Sequence, residues 1–178
     1  MLYGIDSYAF QYCLKLTSIQ LPAFVYHLGL GAFEGSAIQS ITFARTERIA
    51  YLSSKLFVNC SNLSSIEIPF SVEWIGEGVF LASGLQLITY QPGSRLRIIG
   101  PSAFLSCSKL MDIKIPSSVC EVHGKAFAFS GIHSVTFEKD SRLKRIGREA
   151  FRCCYNLTSV EIPSSIEGLD AHLPEIRI

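Results

Sequence analysis

A chain of 178 residues that is 48% hydrophobic and 17% charged has material for a sizeable core, which excludes a disordered segment. Sixteen Lys and Arg against fifteen Asp and Glu leave a formal charge of +1, which argues against a general nucleic-acid or membrane-surface binder. No apolar run approaches the ~18 residues of a membrane span, and the opening MLYGIDSYAF lacks the basic and apolar regions of a signal peptide.

Along the chain, Phe recurs at 10, 33, 57, 80, 104, 127 and 151, at intervals that alternate between 23 and 24. Two kinds of unit therefore alternate, with a full period of 47. The first unit, AFQYCLKLTSIQLP from Ala9, predicts a strand over Ser18–Leu21, where apolar and polar residues alternate. Ile19 and Leu21 turn inward, and Ser18 and Gln20 face out. Pro22 removes a backbone donor and stops the strand. The second unit, AFEGSAIQSITF from Ala32, is one residue shorter before its strand and lacks the Pro; it exposes Ser40 and Thr42.

The two patterns then repeat. LFVNCSNLSSIEIP from Leu56 exposes Ser65 and Glu67 before Pro69, and VFLASGLQLITY from Val79 exposes Leu87 and Thr89. AFLSCSKLMDIKIP from Ala103 exposes Asp112 and Lys114 before Pro116, and AFAFSGIHSVTF from Ala126 exposes Ser134 and Thr136. The last unit, around FRCCYNLTSVEIP from Phe151, exposes Ser159 and Glu161 before Pro163. The Ile-Gly pairs at 75–76, 99–100 and 146–147 are expected to turn the chain. The Ala-Phe segment that follows has room for one helical or 3-10 turn, with Pro101 suited to a first helical position. An array of helix pairs needs two helices of about ten residues or more. The space between each Phe and the strand-ending Pro cannot hold them.

The motif AF-x-x-C-x-x-L-x-x-I-x-I-P, followed by Val and then Ile-Gly, resembles the BspA-type leucine-rich repeat over roughly residues 5–169. The resemblance implies an α/β repeat solenoid, coiled right-handed. A parallel sheet would line its concave face, with short helical or 3-10 turns on the convex side. It implies one domain over 1–178 of about seven repeats, with 170–178 a diverged end where Pro174 replaces the next Phe. Members with known roles are described as surface adhesins that bind host or matrix proteins, and no binding motif is shared across them. A longer parent of that kind would be secreted or held at the cell surface.

Cys13, Cys60, Cys107 and Cys154 are each 47 residues apart. Equivalent residues two coils apart lie ~10 Å from each other, beyond the ~7 Å reach of a disulfide. They are also too far apart to share one metal, so they read as a buried ladder, with Ser36, Ser83 and Ser130 in the same slot. Cys120 stands where Tyr26, Glu73 and Glu167 stand and is expected to be exposed and free; Cys153 adjoins Cys154, and pairing of neighbours is strained. His27, His123, His133 and His172 fall at different offsets and assemble no ligand set or triad. No phosphate loop or zinc spacing occurs, so neither an enzyme nor a cofactor is expected.

Arg48, Arg95 and Arg142 form a second 47-residue series, supported by Arg97 and Lys144. They offer a basic stripe for a sulfated or phosphorylated polymer, although Glu47, Glu138 and Asp140 dilute it. The sequons at Asn59, Asn62 and Asn156 use every asparagine in the chain, yet the repeat itself supplies their Ser or Thr. The outward residues of the strands are the expected protein-binding surface. The rival expectation is a structural spacer with no ligand of its own. The first unit shows no cap, so the edge at Ser18–Leu21 predicts end-to-end self-association.

Overall fold

The computed structural model describes residues 3–44 and 48–169. The diverged end at 170–178, with His172 and Pro174, lies outside the described residues, as does Glu47. The chain winds into a parallel β-solenoid of about seven turns, with 15 strands among the described residues.

Each turn carries two strands rather than the expected one. The longer set is β2 (Ser18–Leu21), β4 (Ser40–Phe43), β6 (Ser65–Ile68), β8 (Leu87–Tyr90), β10 (Asp112–Ile115), β12 (Ser134–Phe137) and β14 (Ser159–Val160). The shorter set is β1 (Gly4–Ile5), β3 (His27–Leu28), β5 (Tyr51–Leu52), β7 (Trp74–Ile75), β9 (Ile98–Ile99), β11 (Glu121–Val122), β13 (Arg145–Ile146) and β15 (Gly168–Leu169). The Ile-Gly pairs therefore do not simply turn the chain. Ile75, Ile99 and Ile146 are the buried ends of short strands in the six-stranded run β5-β7-β9-β11-β13-β15.

β2, β6 and β10 end at Leu21, Ile68 and Ile115, one residue before Pro22, Pro69 and Pro116. Each Pro carbonyl then accepts the N–H three residues on, from Val25, Val72 and Val119, which turns the chain toward its short strand. Ser71, Ser118 and Ser165, each two residues after a Pro, donate their hydroxyls to Ile49, Leu96 and Leu143 carbonyls of the preceding coil. In the first coil that position is Phe24, which is exposed.

The expected helical or 3-10 turns are corrected: no helix occurs among the described residues. The Ala-Phe corner is built from residues that alternate in backbone hand. The residues two before and two after each spine Phe have positive φ, as at Ser102 (55°) and Ser106 (60°) around Phe104. Ala103, Leu105 and Cys107 donate N–H groups back three residues within the corner. Between them Ser102, Phe104 and Ser106 donate to the next coil, at Gly124, Ala126 and Ala128. A helix needs consecutive N–H groups aimed along its own axis; here every second one leaves the coil. Around Phe33 both left-handed positions are glycines, and a Cβ at Gly31 or Gly35 would meet the rings of Tyr8 or Tyr12. Glycine there relieves backbone strain and makes room for those rings.

The core is a stack. The rings of Phe10, Phe33, Phe57, Phe80, Phe104, Phe127 and Phe151 lie 5.1–5.6 Å apart between centroids and within 17° of parallel. Aliphatic residues of both strand sets close around them.

Candidate functional site

The longer strands present the expected outward face. Ser18, Gln20, Ser40, Thr42, Ser65, Glu67, Leu87, Thr89, Asp112, Lys114, Thr136, Ser159 and Glu161 are exposed, and Ser134 is half-buried. Their in-register neighbours Ile41, Ile66, Ile88, Ile113, Val135 and Val160 are buried. Alternation thus sorts each strand as the sequence predicts.

The face is not one continuous ladder. β2 pairs with β4, β6 with β8, and β10 with β12, each over four residues in register. No pairing joins β4 to β6 or β8 to β10. The openings fall where strand starts are 25 residues apart, as from Leu87 to Asp112, rather than 22, as from Ser65 to Leu87. Spacing alone does not open the sheet, because β12 and β14 are also 25 apart and pair at Ser134–Ser159 and Val135–Val160. The break between β8 and β10 leaves a groove lined by Leu87, Thr89, Tyr90, Asp112, Lys114 and Glu138. A related groove lies beside Thr136, Glu138 and Glu161.

Polar side chains hold the rims of these openings. Gln91 accepts the Phe70 N–H at 3.2 Å and donates to Glu67 at 3.4 Å. One period later Glu138 accepts the Ser117 N–H at 3.1 Å and meets Lys114 Nζ at 3.4 Å. Ser134 donates to Asp112 at 2.6 Å. Tyr90 was not singled out from the sequence. Its hydroxyl is a buried side-chain polar atom without a hydrogen-bond partner among the described residues. Burial raises its pKa, with the nearby Glu138 charge adding to the effect. The sequence signal was available: Phe43 and Phe137 hold the equivalent positions, so only the hydroxyl is new.

The other candidates are spread around the coil. Arg48, Arg95 and Arg142 are exposed. Arg95 lies 5.6 Å over the Phe70 ring, and the backbone N–H groups of Arg95 and Arg142 bind Phe70 and Ser117 carbonyls. Nearby cations are already met by acids: Lys144 by Glu167 at 2.9 Å and Arg145 by Glu121 at 3.9 Å. His123 lies 3.0 Å from Glu121, and no group of three or more His, Cys, Asp or Glu among the described residues is placed to hold a metal. Asn59, Asn62 and Asn156 are exposed.

The regular cysteines form the expected buried ladder from Cys60 onward, whereas Cys13, in the first coil, is half-buried. Cys60, Cys107 and Cys154 donate their thiols to the carbonyls of Phe33, Phe80 and Phe127 in the preceding coil, at 3.0, 2.9 and 3.0 Å. Each also touches the Ser of that coil: Ser36, Ser83 or Ser130. Burial pushes the Cys60 and Cys107 thiols up to about 11. All six cysteines are free. Cys120 is half-buried rather than exposed, because its thiol folds back toward the Ser118 carbonyl at 3.5 Å.

A family model for the BspA type leucine-rich repeat region matches residues 1–96 and 90–173, in 6 copies. Among solved structures, the chain is similar to the pneumococcal vaccine antigen PcpA, with a TM-score of 0.75 at 20% identity over 93% of this chain and 57% of that one. It is also similar to the T. pallidum leucine-rich repeat protein TpLRR, with a TM-score of 0.52 at 21% identity over 95% of this chain and 64% of that one. The chain thus spans less than two thirds of either structure, and at these identities the likeness is one of fold. The comparison with curated proteins finds no match.

Proposed function

Because this chain belongs to the BspA-type leucine-rich repeat family, we propose that it is a non-enzymatic protein-interaction module that binds its partner on the face of the longer strands. A single repeat domain over 1–178 and a role in cell-surface adhesion, by contact with a host or matrix protein, form the finer part of this proposal. One observation carries it. Core positions repeat from coil to coil, while the outward positions change from Gln20 to Glu67, Asp112, Lys114 and Glu161. Such variation suits recognition of a partner and is equally open to a pure spacer, which stands as the alternative. The candidate face comprises Ser18, Gln20, Ser40, Thr42, Ser65, Glu67, Leu87, Thr89, Asp112, Lys114, Ser134, Thr136, Ser159 and Glu161. The stripe of Arg48, Arg95 and Arg142 is a secondary candidate. End-to-end pairing of copies is a further part of the proposal, with a doubled mass in light scattering as its sign. No described helix is long and apolar enough to cross a membrane.

The test is affinity capture with mass spectrometry, comparing the native chain with the variant Glu67→Lys, Lys114→Glu, Glu161→Lys. All three sites are exposed, so the variant is expected to fold and to lose the partner that the native chain holds. Equal capture by both proteins favours the spacer.

A further inference from the structure

The interaction reading leaves open where on the face the partner anchors, and the repeat marks one place by departing from itself. β8 departs twice. Leu87 occupies the strand position held by Ser18, Ser40, Ser65, Ser134 and Ser159, and it is 54% exposed. Tyr90 occupies the position of Phe43 and Phe137 and adds a buried hydroxyl that finds no partner among the described residues. Neither change stabilises the chain alone. An exposed Leu gains nothing over Ser in water, and a buried unpaired hydroxyl carries a desolvation penalty that Phe avoids.

Both departures line the same groove, where β8 and β10 fail to pair. Met111, just before β10, is exposed at 56% where Thr17 and Ser64 stand in equivalent units. The charge around the groove has one sign in excess. Among the residues lining it, Asp112 and Glu138 face Lys114, which already leans on Glu138, so the Asp112 carboxylate is left without a cation in the groove. Tyr90 and Glu138 also wall a second groove, against the loop at 91–94 and residues 116–118.

We propose that the β8–β10 opening is the anchor point of the interaction face, and that it takes an extended basic segment of a protein partner. A large apolar side chain of that segment covers Leu87. A Lys or Arg meets the carboxylates at Asp112 and Glu138, and a polar group of the segment satisfies the Tyr90 hydroxyl. Leu87 gains burial and the Tyr90 hydroxyl gains a partner once the segment is seated. The inference rests on the interaction reading and narrows it to one site and one partner chemistry.

The decisive variant returns β8 to the repeat: Leu87→Ser with Tyr90→Phe. Both residues are already used at these positions elsewhere in the chain, so the variant should melt at or above the native temperature. Random linear peptides displayed on phage are selected on the full native chain, and the recovered peptides are titrated against both proteins by fluorescence anisotropy. The expected peptides pair a Lys or Arg with a large apolar residue and lose roughly tenfold or more in affinity for the variant. Recovery of no peptide, or of peptides that bind both proteins equally, overturns the proposal. A captured protein released by the charge reversals but not by Leu87→Ser/Tyr90→Phe removes the groove and leaves the face reading intact. Peptides that need Leu87 and Tyr90, alongside capture insensitive to charge reversal, keep the groove and remove the wider face.

Discussion

Replacing Phe104 by alanine is expected to cost roughly 3–5 kcal/mol of unfolding free energy, the range for emptying a buried aromatic site. The ring is fully buried and stacks on Phe80 and Phe127, each at 5.1 Å between centroids. Each stacked pair contributes about 0.5–1.5 kcal/mol beyond area burial, and the loss falls on two coil interfaces at once. A solenoid is stabilised by contacts between neighbours along one axis. Damage in the middle therefore exceeds damage at an end, where Phe10 is half-buried and stacks only on Phe33. Urea unfolding of Phe104→Ala and Phe10→Ala measures the difference. Equal losses would contradict a continuous spine.

Alkaline pH is expected to unfold the protein through its thiol ladder. An ordinary thiol titrates at 9.0, whereas burial holds the Cys60 and Cys107 thiols protonated up to about 11 despite the hydrogen bonds from Ser36 and Ser83. Below pH 9 both thiols are neutral in the folded and unfolded chains, and the stabilisation is fully present. Between pH 9 and 11 the unfolded chain loses protons that the folded chain keeps, so stability falls as pH rises. At about 1.4 kcal/mol per unit, each thiol contributes a loss of roughly 3 kcal/mol across that window. Cys154 shifts in the same direction. The variant Cys60→Ser, Cys107→Ser keeps a donor toward the Phe33 and Phe80 carbonyls and removes the titration. Its urea midpoint should decline less from pH 9 to 11 than that of the native chain. Parallel declines would show that the ladder is not the titrating element.

Much of this architecture was legible because the residues that build it recur at fixed offsets. The Phe spine, the cysteine slot, the Pro stops and the inward Ile of each long strand follow from spacing and alternation. The second strand set was not legible. Tyr51–Leu52 or Trp74–Ile75 is too short to show a period of two, and only pairing to neighbouring coils makes it a strand. The corners misled for a different reason. Left-handed backbone is usually announced by glycine, yet Tyr8, Lys55, Asn59, Ser102 and Lys125 adopt it here. Inter-coil hydrogen bonds, absent from any local pattern, hold them there. The grooves lay half in view. The alternation of 22 and 25 residues between strand starts can be counted from the sequence, but it does not say which neighbours pair: β12 and β14, 25 apart, do, whereas β8 and β10 do not. Tyr90 looks like an ordinary aromatic until its surroundings show that none of the described residues meets its hydroxyl.

The proposed interaction puts the partner on the longer-strand face, and not on the short-strand face or the corners. Hydrogen exchange of the chain with and without its captured partner tests this most directly. The account predicts added protection at Leu87–Tyr90, Asp112–Ile115 and Ser134–Phe137, with Trp74–Ile75 and Ile98–Ile99 unchanged. Protection confined to the short strands or to the Ala-Phe corners would contradict it.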